Sequence, residues 1–301
     1  MKFVTISIHG NEIPALLVLE GQAVLPLTEV LGGKAPTSVL ELVRNHDDSI
    51  MKQLKEAQES FEFKTIPLNE VELLAPIPHP IRNVICLGLN YRDHADELKD
   101  RLGNQQKVPD APVYFGKMAS KIIGPGAQIS KHADVTDTID YEVELVAVIG
   151  KEGTNISADE AYDHIFGYTI LNDITARNLQ HRHTQWIKGK SLDTFTAMGP
   201  ALVHRSMFTD PPELDLTCAI NGEIRQSSNT RNFIFDLSYI ISDLSRGFTL
   251  KPGDLIATGT PAGVGMGSDP PRYMQPGDTV TCTIAGIGTL ENWVESEESI
   301  E

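Results

Sequence analysis

The stretch Tyr141-Glu142-Val143-Glu144-Leu145-Val146-Ala147-Val148-Ile149-Gly150 decides how the chain is read. From Val143 to Ile149 it predicts a short β-strand, apolar and buried on both faces and closed by Gly150. Side chains at i and i+2 of a strand point the same way, so Glu142 and Glu144 face one side together at its mouth. Two carboxylates withdrawn from water repel each other, so either one takes up a proton or a cation sits between them. Asp173 ends the next strand-like run, Gly167–Asp173, and is the candidate third oxygen ligand for a divalent ion such as Mg²⁺ or Mn²⁺. A solvated strand end would carry the same pair.

The chain has 301 residues, 41% of them apolar, enough for a sizeable core and more than one unit. No run approaches 18 uncharged apolar residues, so no helical membrane span is expected. Met1–Ile6 reads as a first strand rather than a signal peptide, which makes a cytoplasmic protein the default. Cys86, Cys218 and Cys282 lie far apart in apolar contexts and suit buried thiols in a reducing compartment. A net charge of −16 argues against nucleic acid, whose phosphates need a basic footprint. It leaves an anionic small substrate open, provided that a cation and local Lys/Arg make the site positive.

Residues 1–72 form a compositionally distinct block, read as a small α+β accessory domain. Two strands, Lys2–Ile8 and Glu12–Leu19, meet around Gly10-Asn11. Helical patterns follow over Ser38–Asn45 and Ser49–Phe61, the second opened by Asp47-Asp48-Ser49. Three prolines in Leu74–Pro80 make a stiff connector, and the remainder, residues 73–301, is strand-rich. Ser157-Ala158-Asp159-Glu160 predicts a capping box opening a helix to about Phe166. Leu237, Ile240, Ile241 and Leu244 predict a helix ending before Gly247. The acidic tail Glu295–Glu301 is expected to fray.

After the acidic strand, Asp173, Arg177 and Gln180 stand at i, i+4, i+7. On a helical turn they would share a face, offering a metal carboxylate, a guanidinium for a substrate carboxylate and an amide. An exposed polar helix face would read alike. His94 and Glu97, at i, i+3 after the strand Val84–Leu89, could form a base whose tautomer the carboxylate fixes, or a surface pair. Ala257–Gly263 runs from a strand into a hydroxyl-rich Gly/Pro loop whose backbone can approach a ligand and whose hydroxyls can hold a carboxylate. His181 and His183 diverge on a helix and make a poor metal pair. Lys188-Gly189-Lys190-Ser191 lacks the first glycine of a phosphate loop, Thr184 standing in its place. Ser268 breaks the dinucleotide fingerprint after Gly263 and Gly265, and no Gly-x-Ser-x-Gly elbow exists.

Together these stretches resemble the fumarylacetoacetate hydrolase family over roughly residues 75 to 295. The motifs are Asn90-Tyr91-x-x-His94-x-x-Glu97, Asp140-Tyr141-Glu142-Val143-Glu144, Asn172-Asp173-x-Thr175-Ala176-Arg177, Gly189-Lys190-Ser191-x-Asp193 and Thr258-Gly259-Thr260-Pro261-x-Gly263. The resemblance implies a mostly β (α+β) fold, a mixed-sheet roll enclosing the site, and a homodimer. It implies that Glu142, Glu144 and Asp173 bind one Mg²⁺ or Mn²⁺ per chain, and that His94 and Glu97 form a dyad on a lid over the substrate. Lys190 matches the family's site lysine, while Arg177, Gln180, Thr260 and Gly259 match substrate-contacting positions. The additional metal-binding Asp of the classical eukaryotic members has no located counterpart. The likeness is therefore to the bacterial-type acylpyruvase and oxaloacetate decarboxylase branch.

The expected activity is metal-dependent decarboxylation of oxaloacetate, or hydrolysis of the C–C bond of acylpyruvates, through a metal-stabilised enolate. A 2-oxo acid would chelate the cation through its carboxylate and keto oxygens. The same site could serve an isomerase or tautomerase, in which only protons move. A protein that binds a 2-oxo acid and metal without turnover is the reading from another class; neither nucleic acid nor membrane is an expected partner.

Overall fold

Seven consecutive residues, Val143–Ile149, are buried in the computed structural model, which describes residues 1–60, 62–102 and 108–296. The period-two alternation explains how. Val143, Leu145, Ala147 and Ile149 enter one core cluster, while Val146 and Val148 enter another on the opposite face. The expected strand and its bounds are those observed.

This central strand pairs antiparallel with Ile165–Asp173 on one side and Leu255–Ala257 on the other. Beyond Ile165–Asp173 come Thr196–His204, Lys2–Ile8, Asn11–Val18, Ala23–Pro26 and Ile66–Pro67; beyond Leu255–Ala257 come Val84–Gly88 and Val113–Lys117. A second sheet runs Glu223–Asn229, Asp215–Ile220, Thr279–Ile284, Gly288–Val294, Gln128–Ile129. Cys218, Val280 and Cys282 of this sheet share the first core cluster with Val143 and Leu145. Leu255–Ala257 pairs parallel with Val84–Gly88, so the large sheet is mixed. The fold is mostly β within an α+β class.

The strands of residues 1–72 are hydrogen-bonded into the same large sheet, with Lys2 opposite Val203 and Phe3 opposite Leu202. Val39–Asn45 is capped by Ser38 Oγ, which accepts the Glu41 N–H, and Asp48–Glu59 by Asp47, which accepts the Ile50 N–H. The helix expected to reach Phe61 is described to Glu59, and Phe61 lies outside the described residues. Leu42, Val43 and Leu54 from these helices join Val146 and Val148 in the second cluster.

Two local expectations are corrected. Residues Ala158–His164 form 3₁₀ turns rather than an α-helix, and Phe166 already belongs to the strand that starts at Ile165. The Ser157 hydroxyl donates to Glu160 Oε2 (2.8 Å) rather than capping the backbone. The helix Leu237–Leu244 stands as expected, with Asp236 accepting the Tyr239 N–H. Of the acidic tail, residues 297–301 lie outside the described residues.

Candidate functional site

Strand register brings the acids together. Val143 lies opposite Asn172, and the Asp173 N–H donates to the Glu142 carbonyl (2.9 Å), so the two strand mouths are adjacent. Ligand-capable atoms of Glu142, Glu144 and Asp173 lie within 4.8 Å of one another, all three residues buried. The expected helical face is not what joins Asp173 to Arg177. Thr175–Ala176 is extended and pairs with Ile139–Asp140, and the helix begins only at Arg177. Asp173 arrives instead from the sheet.

Three cations surround the cluster. Lys190 Nζ donates to Glu142 Oε2 and Asp173 Oδ2, both at 2.8 Å. Lys117 Nζ donates to Asp173 Oδ1 (2.6 Å) and to the Ile174 carbonyl (3.0 Å). Arg177 donates through Nε to Asp140 Oδ2 and pairs through Nη2 with Glu142 Oε1, each at 2.7 Å. Its Nη1 holds Gln180 Oε1 at 2.9 Å. Burial alone would strip Lys190 and Arg177 of their charge, but the facing carboxylates outweigh it and raise both. Burial would likewise push Asp173 up, yet Lys117 and Lys190 hold it below the ordinary carboxylate range. Glu144 differs. Burial, then Asp173 and Glu142, push its carboxyl well above the usual range, and the Gly259 N–H (2.9 Å) does not offset them.

This asymmetry is a test of fit for a divalent ion. The donor set is all oxygen, as Mg²⁺ and Mn²⁺ prefer. An ammonium already bridges two of the carboxylates, and the third remains short of positive charge. The residues present suit a cation held by Glu142, Glu144 and Asp173.

His94 and Glu97 sit on the helix Arg92–Leu102, with His94 Nδ1 2.9 Å from Glu97 Oε2. Glu97 Oε1 also accepts the Gly263 N–H (2.9 Å), and Asp93 Oδ2 accepts the Ser228 hydroxyl (2.7 Å). The helix is thereby latched at both acids. His94, Glu142, Arg177, Gln180, Lys190 and Thr260 all line one cavity of about 270 Å³. The Thr260 hydroxyl donates to the Val143 carbonyl (3.0 Å) and accepts from Gln226 Nε2 (2.8 Å). Gly259, at φ +91°, turns its N–H onto Glu144. Both thus brace the acidic strand. His181 lines the same cavity, whereas His183 is exposed and, among the described residues, joins no cluster of metal-ligating side chains.

The sequence reading passed over Lys117 and gave Asp140 no role beyond its place in the Asp140-Tyr141-Glu142-Val143-Glu144 motif. Asp140 accepts the Gly265 N–H (2.6 Å), the Met266 N–H (3.0 Å) and Arg177 Nε, tying the glycine-rich loop to the guanidinium. Its only signal was its place beside Tyr141-Glu142. Lys117 ends a strand-like run, Val113–Lys117, and nothing in the linear sequence opposes it to Asp173.

A family model of the fumarylacetoacetate (FAA) hydrolase C-terminal domain matches residues 83–295. The chain belongs to the fumarylacetoacetate hydrolase family. Among members of that family, it is 51% identical over 227 residues to oxaloacetate tautomerase YisK of Bacillus subtilis, covering 75% of this chain and 74% of that protein. The structure superposes on a fumarylacetoacetate hydrolase from psychrophilic Exiguobacterium antarcticum with a TM-score of 0.82 at 37% identity, covering 99% of this chain and 100% of the other. It also superposes on 5-carboxymethyl-2-hydroxymuconate delta-isomerase from Mycobacterium smegmatis with a TM-score of 0.74 at 32% identity, again covering 99% and 100%. Fumarylacetoacetate hydrolase relatives thus include hydrolases, isomerases and a tautomerase. Among the described residues, no helix is long and apolar enough to cross a membrane.

Proposed function

We propose that this chain interconverts the enol and keto forms of a small 2-oxo dicarboxylic acid of the oxaloacetate type. Glu142, Glu144 and Asp173 would hold the divalent ion that the reaction uses. When bound, that ion supplies a Lewis acid for the carboxylate and keto oxygens of the substrate. The observation that carries the reading is the shared cavity. His94, latched to Glu97, faces the same 270 Å³ space as Lys190 and Glu142, the member of the acid cluster that lines it. The 51% identity to an oxaloacetate tautomerase supports the tautomerase over the cleavage reactions that the residues alone put first.

The proton itself is carried by the chain's own groups. Glu97 engages His94 Nδ1, which fixes the proton there and leaves Nε2 as the basic nitrogen. His94 Nε2 takes the enol O–H proton and returns it to the adjacent carbon, so no water or co-reactant is consumed. Lys190 keeps its charge and stabilises negative charge on the substrate oxygen while the proton is in transit.

The second reading is C–C bond hydrolysis or decarboxylation, supported by the same dyad, which could activate water, and by the hydrolase among the structural relatives. Enol oxaloacetate with Mg²⁺ or Mn²⁺ decides between them. Loss of enol absorbance without pyruvate, abolished by EDTA and restored by metal, is the expected result. Pyruvate released at the same rate selects cleavage. Turnover that survives EDTA overturns the metal-dependent reading altogether.

A further inference from the structure

We propose that Trp186 sets the length of the acid that the cavity accepts, restricting it to short-chain 2-oxo acids and excluding longer dienedioates. This deepens the functional reading above and rests on it for the end at which the 2-oxo group lies. Trp186 stands one helical turn before Lys190, whose N–H donates to the Trp186 carbonyl (3.1 Å), so their side chains share a face. Phe115 lies under Lys190 Nζ, 5.2 Å from the ring centroid, and meets the Trp186 ring edge-on at 5.3 Å. An aromatic wall therefore runs outward from the cationic end of the cavity, with Leu87, Leu89 and Met266 completing an apolar half.

The indole cannot easily withdraw from this wall. On one side it lies against Gly88, where an added Cβ would stand 2.6 Å from Trp186 Cζ3. On the other, its own turn is fixed. A Cβ at Gly189 would lie 2.5 Å from the Gln180 backbone nitrogen, so the two short helices flanking Trp186 meet at backbone contact. At about 270 Å³ the cavity is smaller than the roughly 300–1,000 Å³ of ordinary ligand sites. An acid anchored near Lys190 has room for a few carbons before it reaches the indole. A longer one must displace the ring or leave its second carboxylate against apolar side chains, which is costly.

The test compares wild type with Trp186→Ala and Trp186→Phe, all melted beforehand to show that they fold. Binding of 2-oxoglutarate and 2-oxoadipate in Mg²⁺ is measured by calorimetry, alongside turnover of enol oxaloacetate and of a seven-carbon 2-hydroxydienedioate. One methylene in a closed apolar pocket discriminates about 10- to 200-fold. The expected result is at least a tenfold gain in the long-to-short ratio for the alanine variant, in both binding and kcat/KM, with phenylalanine between. An unchanged ratio overturns the proposal. With Trp293→Phe, Trp186 is the sole remaining tryptophan, since the chain has two. Its emission must change when 2-oxoglutarate binds, and a silent indole also overturns the proposal. A wild type that binds these acids with the expected length preference but turns over none refutes the functional reading and leaves this one standing. If it binds none of them, both fall.

Discussion

Lys117 Nζ lies 2.6 Å from Asp173 Oδ1, and neither side chain has any exposure to solvent. Burial draws the lysine below its ordinary value, and Asp173 opposes that pull. Such a pair contributes little against an apolar isostere, but removing one partner strands the other. Lys117→Met keeps the stem and removes the charge, leaving Asp173 with Lys190 as its remaining cation. We expect a loss of about 3 kcal/mol in urea unfolding, partly restored by millimolar Mg²⁺, which supplies the missing charge and binds only the folded chain. A midpoint equal to that of wild type with and without the metal would contradict this.

Gly267 closes on the dyad from the opposite side. A Cβ there would meet Glu97 Oε1 and Cδ, the latter at 2.6 Å, so Gly267→Ala must push the carboxylate away from His94 and the Gly263 N–H. Gly267 is not in the left-handed region, so alanine is tolerated by its backbone. The expected result is a fall in kcat of about 10²- to 10⁴-fold with little change in melting temperature. Glu97→Gln should show the same loss. Full activity in either variant would remove the dyad from the reaction.

How much of this was legible beforehand follows from where each contact is encoded. The strand Val143–Ile149 and its glutamates were readable because period and burial are local properties of the sequence. Helix starts at Ser38 and Asp47 were readable for the same reason. Asp173 was readable as a third ligand from its place at the end of a strand-like run, and it stands there. The helical face shared with Arg177 and Gln180 was not: Thr175–Ala176 is extended and pairs with Ile139–Asp140, a partner that the linear chain does not name. Lys117 escaped altogether, since a lysine closing a strand looks solvated until the fold sets it against a carboxylate. The block 1–72 reads as a unit by composition, yet its first strand hydrogen-bonds to Thr196–His204, a contact nearly two hundred residues distant.

Glu144 gives the cation a pH signature. Its folded value lies well above the unfolded 4.5, so metal-free protein holds a proton there that the unfolded chain has already lost. Stability from this group is full below 4.5 and declines as pH rises through the folded value. A divalent ion must displace that proton. We expect metal affinity to rise with pH and binding to release a proton, seen by calorimetry in buffers of different ionisation enthalpy. Glu144→Gln should abolish the proton release. Release of the same size in the variant would assign it elsewhere.

His204 works in the opposite direction. Its ring packs edge-on against Phe166 at 5.2 Å, and its Nδ1 accepts the Ser206 N–H at 3.3 Å, as a neutral imidazole does. Burial, then the amino terminus, His46 and Arg205, bring it down from 6.5 to about 4. Between these values the unfolded chain binds a proton that the folded one refuses, so stability must fall as pH drops from 6.5 towards 4. His204→Gln retains an acceptor for Ser206 and removes the titration. Melting temperatures measured across that interval should fall less steeply for the variant than for wild type, while the two run parallel above neutrality, where both side chains are uncharged. Parallel curves throughout would mean that the ring is protonated in the folded chain as readily as in the unfolded one, and that its packing against Phe166 does not depend on its charge.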